Sequence, residues 1–232
     1  MNKNYVSLKF HARPSFNNSK MGKSKVNPAP IGLFGFAITT ALLNLKNAHF
    51  ISADDIIFGT GLIVGGMAQM IAGVLEFFAG SQFGCVAFTL YGAFWISLVY
   101  VNEFMDGSSD GPFACYLFIW GLFSLFMTMA TFAPGMHFVS KTVFISLTTL
   151  FFLLSIIHGM LANDADASVH GLETLAGLIG IFCASFAFYD GMAGVLNSPA
   201  VYGREFLPLG PRSGAQKVTD AHDDVVTLSE AA

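Results

Sequence analysis

Inside the apolar runs of this sequence the polar side chains are few and mostly of one kind. Thr39, Thr40, Asn44, Gln69, Thr89, Tyr91 and Tyr189 are hydroxyls and amides, joined by Ser97, Thr128, Ser146, Thr148 and Thr149; Asp190 is the one carboxylate in this set, and no cation belongs to it. Hydroxyls and amides exchange hydrogen bonds without carrying charge. A bare carboxylate buried without a compensating positive group costs at least a few kcal/mol. A path lined this way therefore passes a small anion by neutral donors and helix ends, or passes it protonated. A helix start supplies about half a positive charge and free N–H groups, and the start near Pro30 to Leu33 is the candidate inner vestibule. A lone serine or threonine in a membrane helix often bonds its own backbone. A buried amide needs a partner or a ligand, so Asn44 and Gln69, with Thr89, are the stronger substrate-contacting candidates.

The elements that would position these groups are membrane helices. Hydrophobic residues make up 54% of the chain and charged ones 11%, and no Lys or Arg occurs between Lys46 and Lys141. A soluble domain would need a charged surface that this segment lacks. Six apolar segments, near 31–45, 55–78, 83–102, 113–134, 142–160 and 171–196, read as an all-α, polytopic bundle of six transmembrane helices, about 20 residues being enough to cross the hydrocarbon core. Residues 1–26 hold Lys3, Lys9, Arg13, Lys20, Lys23 and Lys25 and no acid, while Asp54, Asp55, Asp106, Asp110, Asp164 and Asp166 gather on the opposite side. Basic loops stay inside, so both termini are expected in the cytoplasm, with the plasma membrane as the site. An organelle transit peptide is the minor reading of the basic start. The domain reading is a flexible tail over 1–26, a transport domain over 27–197 and a second flexible cytoplasmic tail over 198–232.

Small residues recur along three helices. Gly59, Gly66, Gly73 and Gly80 fall every seventh residue; Gly177, Gly180, Ala184, Ala187, Gly191 and Gly194 alternate three and four; Gly121, Ser124, Thr128, Thr131 and Gly135 do likewise. In lipid, helices associate through close packing, and such seams let backbones approach. The three helices are expected to pack tightly, within a protomer or between protomers.

The most specific stretch is Asn27 to Asn47, NPAPIGLFGFAITTALLNLKN. Pro28 and Pro30 suit an extended entry into a first helical turn, with Asn27 as cap. Phe36, Thr40 and Asn44 lie one turn apart on one face. The motif Asn27, Pro28, Ala29, Pro30, Gly32, Leu33, followed by Gly35-Phe36, Thr39-Thr40 and Leu42-Leu43-Asn44-Leu45, resembles the acetate uptake transporter family. The resemblance runs on through Gly65-Gly66-x-Ala68-Gln69, Ala72-Gly73-x-Leu75-Glu76, Tyr91-Gly92-x-Phe94-Trp95, Trp120-Gly121, Ser146-Leu147-Thr148 and Val195-Leu196-Asn197, covering about residues 27 to 200.

That resemblance implies a narrow apolar constriction in each protomer, with Phe36, Tyr91 and Leu147 at the matching positions. It also implies acetate as substrate, with succinate or other short-chain monocarboxylates beside it, and a homohexamer in a lipid bilayer. A narrow dry neck favours a two-carbon acid over larger or doubly charged solutes. On residue type alone, each of the three would be plain core. An ammonium exporter or a membrane sensor of the same family is the alternative function. Asp190 reads equally as a proton site for coupled uptake or as a wet residue near the cytoplasmic end. Glu76 reads as a boundary residue paired with a neighbouring helix, and His158 as a capping or packing histidine.

Other classes are set aside. Asn27-Pro28-Ala29 spells the aquaporin tripeptide, but its only echo is Asn197-Ser198-Pro199-Ala200, and no arginine lies within the apolar segments. Cys85, Cys115 and Cys183 are isolated and read as small buried hydrophobes. No metal-ligand spacing, phosphate loop or nucleophile with its base can be assembled, so no metal, no cofactor and no enzyme are expected. A basic stripe for nucleic acid is also missing.

Overall fold

The computed structural model describes residues 26–52, 54–105 and 108–214. The basic start up to residue 25, Asp106 and the end of the chain from residue 215 lie outside the described residues. Among the described residues six helices are long and apolar enough to cross a membrane: α1 Ala29–Asn47, α2 Asp54–Ala79, α3 Gln82–Phe104, α4 Asp110–Ala130, α5 Phe138–Asn163 and α6 His170–Leu196. All six expected segments are helical, each starting earlier than its apolar run suggested; α4 stops at Ala130 instead of near 134.

Local chemistry explains the ends. Pro30 stands in the first turn of α1, where a missing N–H costs nothing; Asn27 Oδ1 accepts the Ala29 N–H at 3.1 Å. Gly80, at φ 82°, ends α2. Its left-handed backbone lets the Ser81 N–H reach the Glu76 carbonyl at 3.0 Å, a closure that favours glycine. Ser81 then caps α3, its Oγ accepting the Gly84 N–H at 3.2 Å. Two residues thus turn α2 back along α3.

Helix α1 sits at the centre of the packing and lies extensively against α6. The small stripe of α6 receives it along its whole length: a Cβ at Gly194 would meet Pro30, one at Gly191 would meet Leu33 and Phe34, one at Gly180 the Asn44 amide, and one at Gly177 the Ala48 backbone. Gly66 and Gly73 likewise face Ile96 and Thr89 across the α2–α3 seam, but Gly59 faces open space and Gly80 is a terminator. The seven-residue repeat therefore marks one seam only in its middle. Its phase is broken because Gly61–Ala68 is wound as a π-helix, a rare form frequent at functional sites.

Between α3 and α4 the gap is filled by aromatic rings, with Tyr91 5.2 Å from Phe123, Phe94 5.2 Å from Trp120, and the Ser97 and Tyr116 hydroxyls 2.7 Å apart. Helices α4 and α5 pack closely and are joined by Thr128, whose hydroxyl donates to the Phe144 carbonyl at 2.9 Å and lies 2.8 Å from that of Thr148. The ring of helices is completed by α5 against α6.

The expected flexible tail from residue 198 is corrected as far as Gly214. Asn197 Oδ1 accepts the N–H groups of Phe206 and Leu207, the Phe138 N–H donates to Pro211 O, and Gly135 and Met136 exchange bonds with Ser213. The strap so formed lies across the α4–α5 loop, with His137 bridged to Arg212. Burial, and then the neighbouring Arg212, hold the His137 imidazole below its ordinary pKa.

Candidate functional site

The bundle encloses two cavities, one at each end. The distal cavity, at the end away from the described chain ends, has a volume of about 160 Å³; Thr40, Asn44, Lys46, Asn102 and His158 are polar members of its wall. The proximal cavity, about 190 Å³, lies where α1 begins and α6 ends; its polar wall comprises Gln69, Glu76, Ser81, Ser140, Asp190 and the Gly84 backbone region. Three residues line both cavities: Phe36, Tyr91 and Leu147. They come from α1, α3 and α5, are 6%, 3% and 3% exposed, and separate the two spaces. The rings of Phe36 and Tyr91 lie 6.1 Å apart and tilted by 53°.

This partition is apolar although one member is a tyrosine. The Tyr91 hydroxyl is 2.9 Å from Ser124 Oγ, on a fully buried residue of α4, so its hydrogen-bonding capacity is used there and its ring faces the passage. A hydrated anion meeting this partition finds no replacement for its water, a loss of several kcal/mol unless charge or hydration is shed first.

The other candidates divide by where their polar atoms go. Thr40 and Asn44 line the distal cavity, with Asn44 Nδ2 donating to the Thr40 carbonyl at 2.8 Å. Gln69 lines the proximal cavity and its buried Oε1 has no partner among the described residues. Thr39, Thr89 and Tyr189 are in the wall of neither. The Thr39 hydroxyl bonds back to Gly35 O at 2.8 Å beside Gly65, Thr89 fills the space opposite Gly73, and Tyr189 donates to Pro208 O at 2.9 Å, holding the strap. In the amino-terminal motif, Ala29 and Leu33 reach the proximal cavity while Pro30 and Gly32 pack against Gly194 and Phe88.

Three features differ from the sequence reading. Glu76 is not a paired boundary residue: it is 4% exposed, lines the proximal cavity, and its Oε1 has no partner among the described residues. Its position two turns from Gln69 on the same helix face was the available signal. The distal cavity does contain a cation, Lys46, ion-paired with Asp54 at the rim. His158 neither caps nor merely packs, since its Nδ1 is 2.7 Å from Asp110 Oδ1. Asp190 accepts from Ser140 Oγ at 2.8 Å. No group of three metal-ligating side chains occurs among the described residues.

Comparison with known proteins gives a consistent result. A model of the GPR1/FUN34/yaaH family matches residues 11–207. The succinate-acetate/proton symporter SatP of Escherichia coli K12 is 44% identical over 196 residues, covering 82% of this chain and 98% of that protein. The ammonia transport outward protein 2 of Saccharomyces cerevisiae is 30% identical over 188 residues, covering 76% of this chain and 64% of its own. Among solved structures, that of the bacterial acetate channel SatP superposes with a TM-score of 0.71 at 41% identity, covering 80% of this chain and 99% of that one.

Proposed function

The chain belongs to the GPR1/FUN34/yaaH family, and on that premise we propose that this integral membrane protein carries acetate, with succinate or other short-chain monocarboxylates as secondary cargo, through a pore in each protomer. The observation that carries the reading is that two cavities, each with a few polar groups set in a mainly apolar wall, share only Phe36, Tyr91 and Leu147. An apolar partition between two such chambers passes a solute small enough to slip between three side chains and able to shed its water. Acetate, with one small methyl and one carboxylate, meets both demands better than a dicarboxylate.

In this reading Thr40 and Asn44 handle the carboxylate on the distal side, Gln69 handles it on the proximal side, and uptake is coupled to a proton. The proximal end faces the cytoplasm of a plasma membrane: among the described residues Lys141, Arg204 and Arg212 lie there, while Asp54, Asp55, Asp110 and Asp164 lie at the other end with Lys46. The outward faces of α2, α4 and α6, which expose Ile71, Phe126 and Phe182, serve lipid and the neighbouring protomers of a homohexamer.

The test is radiolabelled acetate uptake by the purified chain in proteoliposomes, with protein-free vesicles subtracted. Uptake above that background under an inward proton gradient is expected. Background-level uptake under both a pH gradient and a voltage would end the transport reading.

A further inference from the structure

Two side chains in the proximal cavity are in an unusual state: each is almost wholly buried, each turns an oxygen acceptor on which no donor falls among the described residues, and both project from one face of α2. They are Gln69, 1% exposed, and Glu76, 4% exposed. Seven residues, about two helical turns, separate them. Gly84 of α3 makes the place for the carboxylate, since a Cβ there would overlap the Glu76 side chain. Buried polar atoms are almost always satisfied, and a buried unpaired carboxylate is among the costliest exceptions. The pair therefore awaits something that brings a hydrogen.

The surroundings do not supply it. The titratable groups that share this cavity are Asp190 from α6, which already accepts from Ser140, and Tyr91 from α3, which is engaged with Ser124. Helix α1 presents Ala29, Leu33 and Phe36, none of them titratable. From α5, the Lys141 ammonium is outside the wall, 5.8 Å above the Phe132 ring; His137, just before α5, pairs through its backbone with Arg212, and its imidazole, whose buried Nδ1 has no partner among the described residues, acts electrostatically on Asp190 and is not in the wall. A carboxylate cargo entering this space would meet an acid of its own sign.

We propose that Glu76 is where the coupled proton resides while the cargo occupies the proximal cavity: the Glu76 carboxylate takes one proton from a hydronium ion of the solution, which leaves as water, and the resulting O–H donates to a carboxylate oxygen of acetate. Atoms and charge balance, with one proton and one acetate bound together. The inference rests on acetate being the cargo. It assigns the proton to Glu76 and leaves Asp190 a residue that fixes Ser140 and the end of α5.

The experiment is binding of radiolabelled acetate to the purified full chain in detergent between about pH 5.5 and 8, with wild type, Glu76→Gln and Asp190→Asn compared. One proton taken up per acetate makes affinity fall about tenfold per pH unit. Wild type and Asp190→Asn are expected to show that slope and Glu76→Gln a flat profile, because its amide donates without titrating. An unchanged slope in Glu76→Gln means the proton travels elsewhere, and a flat wild type means none travels; either overturns the proposal. If Glu76→Gln does not purify as folded protein, Glu76→Asp must displace the profile along the pH axis, and an undisplaced profile overturns it. Ammonium binding that strengthens as pH rises and disappears in Glu76→Gln would show a cation site instead. Failure of the wild type to bind acetate at any pH would count against the transport reading itself.

Discussion

The two cavities are walled by the same three residues at their junction yet are opposite in character. In the distal cavity the cation is Lys46, paired with Asp54, His158 lies beside Asp110, and Asn44 and Asn102 add amides. The charged side chains of the proximal wall are both acids, Glu76 and Asp190, and the partnerless Gln69 carbonyl shares the wall with them. A carboxylate thus meets a lysine and amides at one mouth and two acids at the other. The difference teaches that asymmetry is built from single residues on otherwise similar apolar walls; under the Glu76 proposal it places the proton on the proximal side of the partition.

Opening the partition is the strongest way to break the contrast. Leu147→Ala joins the two spaces, and permeation of a four-carbon acid relative to acetate is expected to rise on the order of tenfold, equivalent to about 1.4 kcal/mol in barrier; competition between the two acids in vesicle uptake reads this directly. Next in size is Lys46→Gln, which removes the cation at the distal mouth. Acetate capture should slow about threefold at low ionic strength, and the deficit should disappear near 1 M salt, where the screening length is about 3 Å. Smaller still is Tyr91→Phe, which keeps the ring and removes the hydroxyl facing Ser124. It should lower stability by about 1–2 kcal/mol, seen as an earlier thermal transition, with the preference for acetate unchanged. Asp190→Asn is expected to leave the pH slope of acetate binding where it is; a flattened slope would move the proton from Glu76 to Asp190.

The sequence made some of this legible and hid the rest for identifiable reasons. Hydropathy exposes the six spans because backbone in lipid must be helical, and the three- and four-residue alternation of Gly177 to Gly194 announces the seam that receives α1. The repeat at Gly59, Gly66, Gly73 and Gly80 misleads at Gly59, because a seven-residue spacing keeps one face only in a uniform α-helix and the π run over Gly61–Ala68 is not one, and at Gly80, because that residue ends the helix. Glu76 looks like a boundary charge because Gly80 ends the helix four residues later; its depth depends on Ser81 folding α3 back over it, a tertiary fact. The strap is hidden for a similar reason, since most of the bonds that hold residues 197–213 are to or from backbone atoms, which leave no trace in residue type. Tyr189 and Thr89 show the same limit: a hydroxyl on a membrane helix is equally suited to a passage or to a seam, and only the neighbours decide.

The central claim is that cargo crosses between Phe36, Tyr91 and Leu147. Its most direct test is acetate flux through purified Leu147→Trp in proteoliposomes, with folding verified by an unchanged size-exclusion profile. The indole should fill the gap and bring flux down to that of protein-free vesicles, whereas flux at the wild-type level would mean that acetate takes another route.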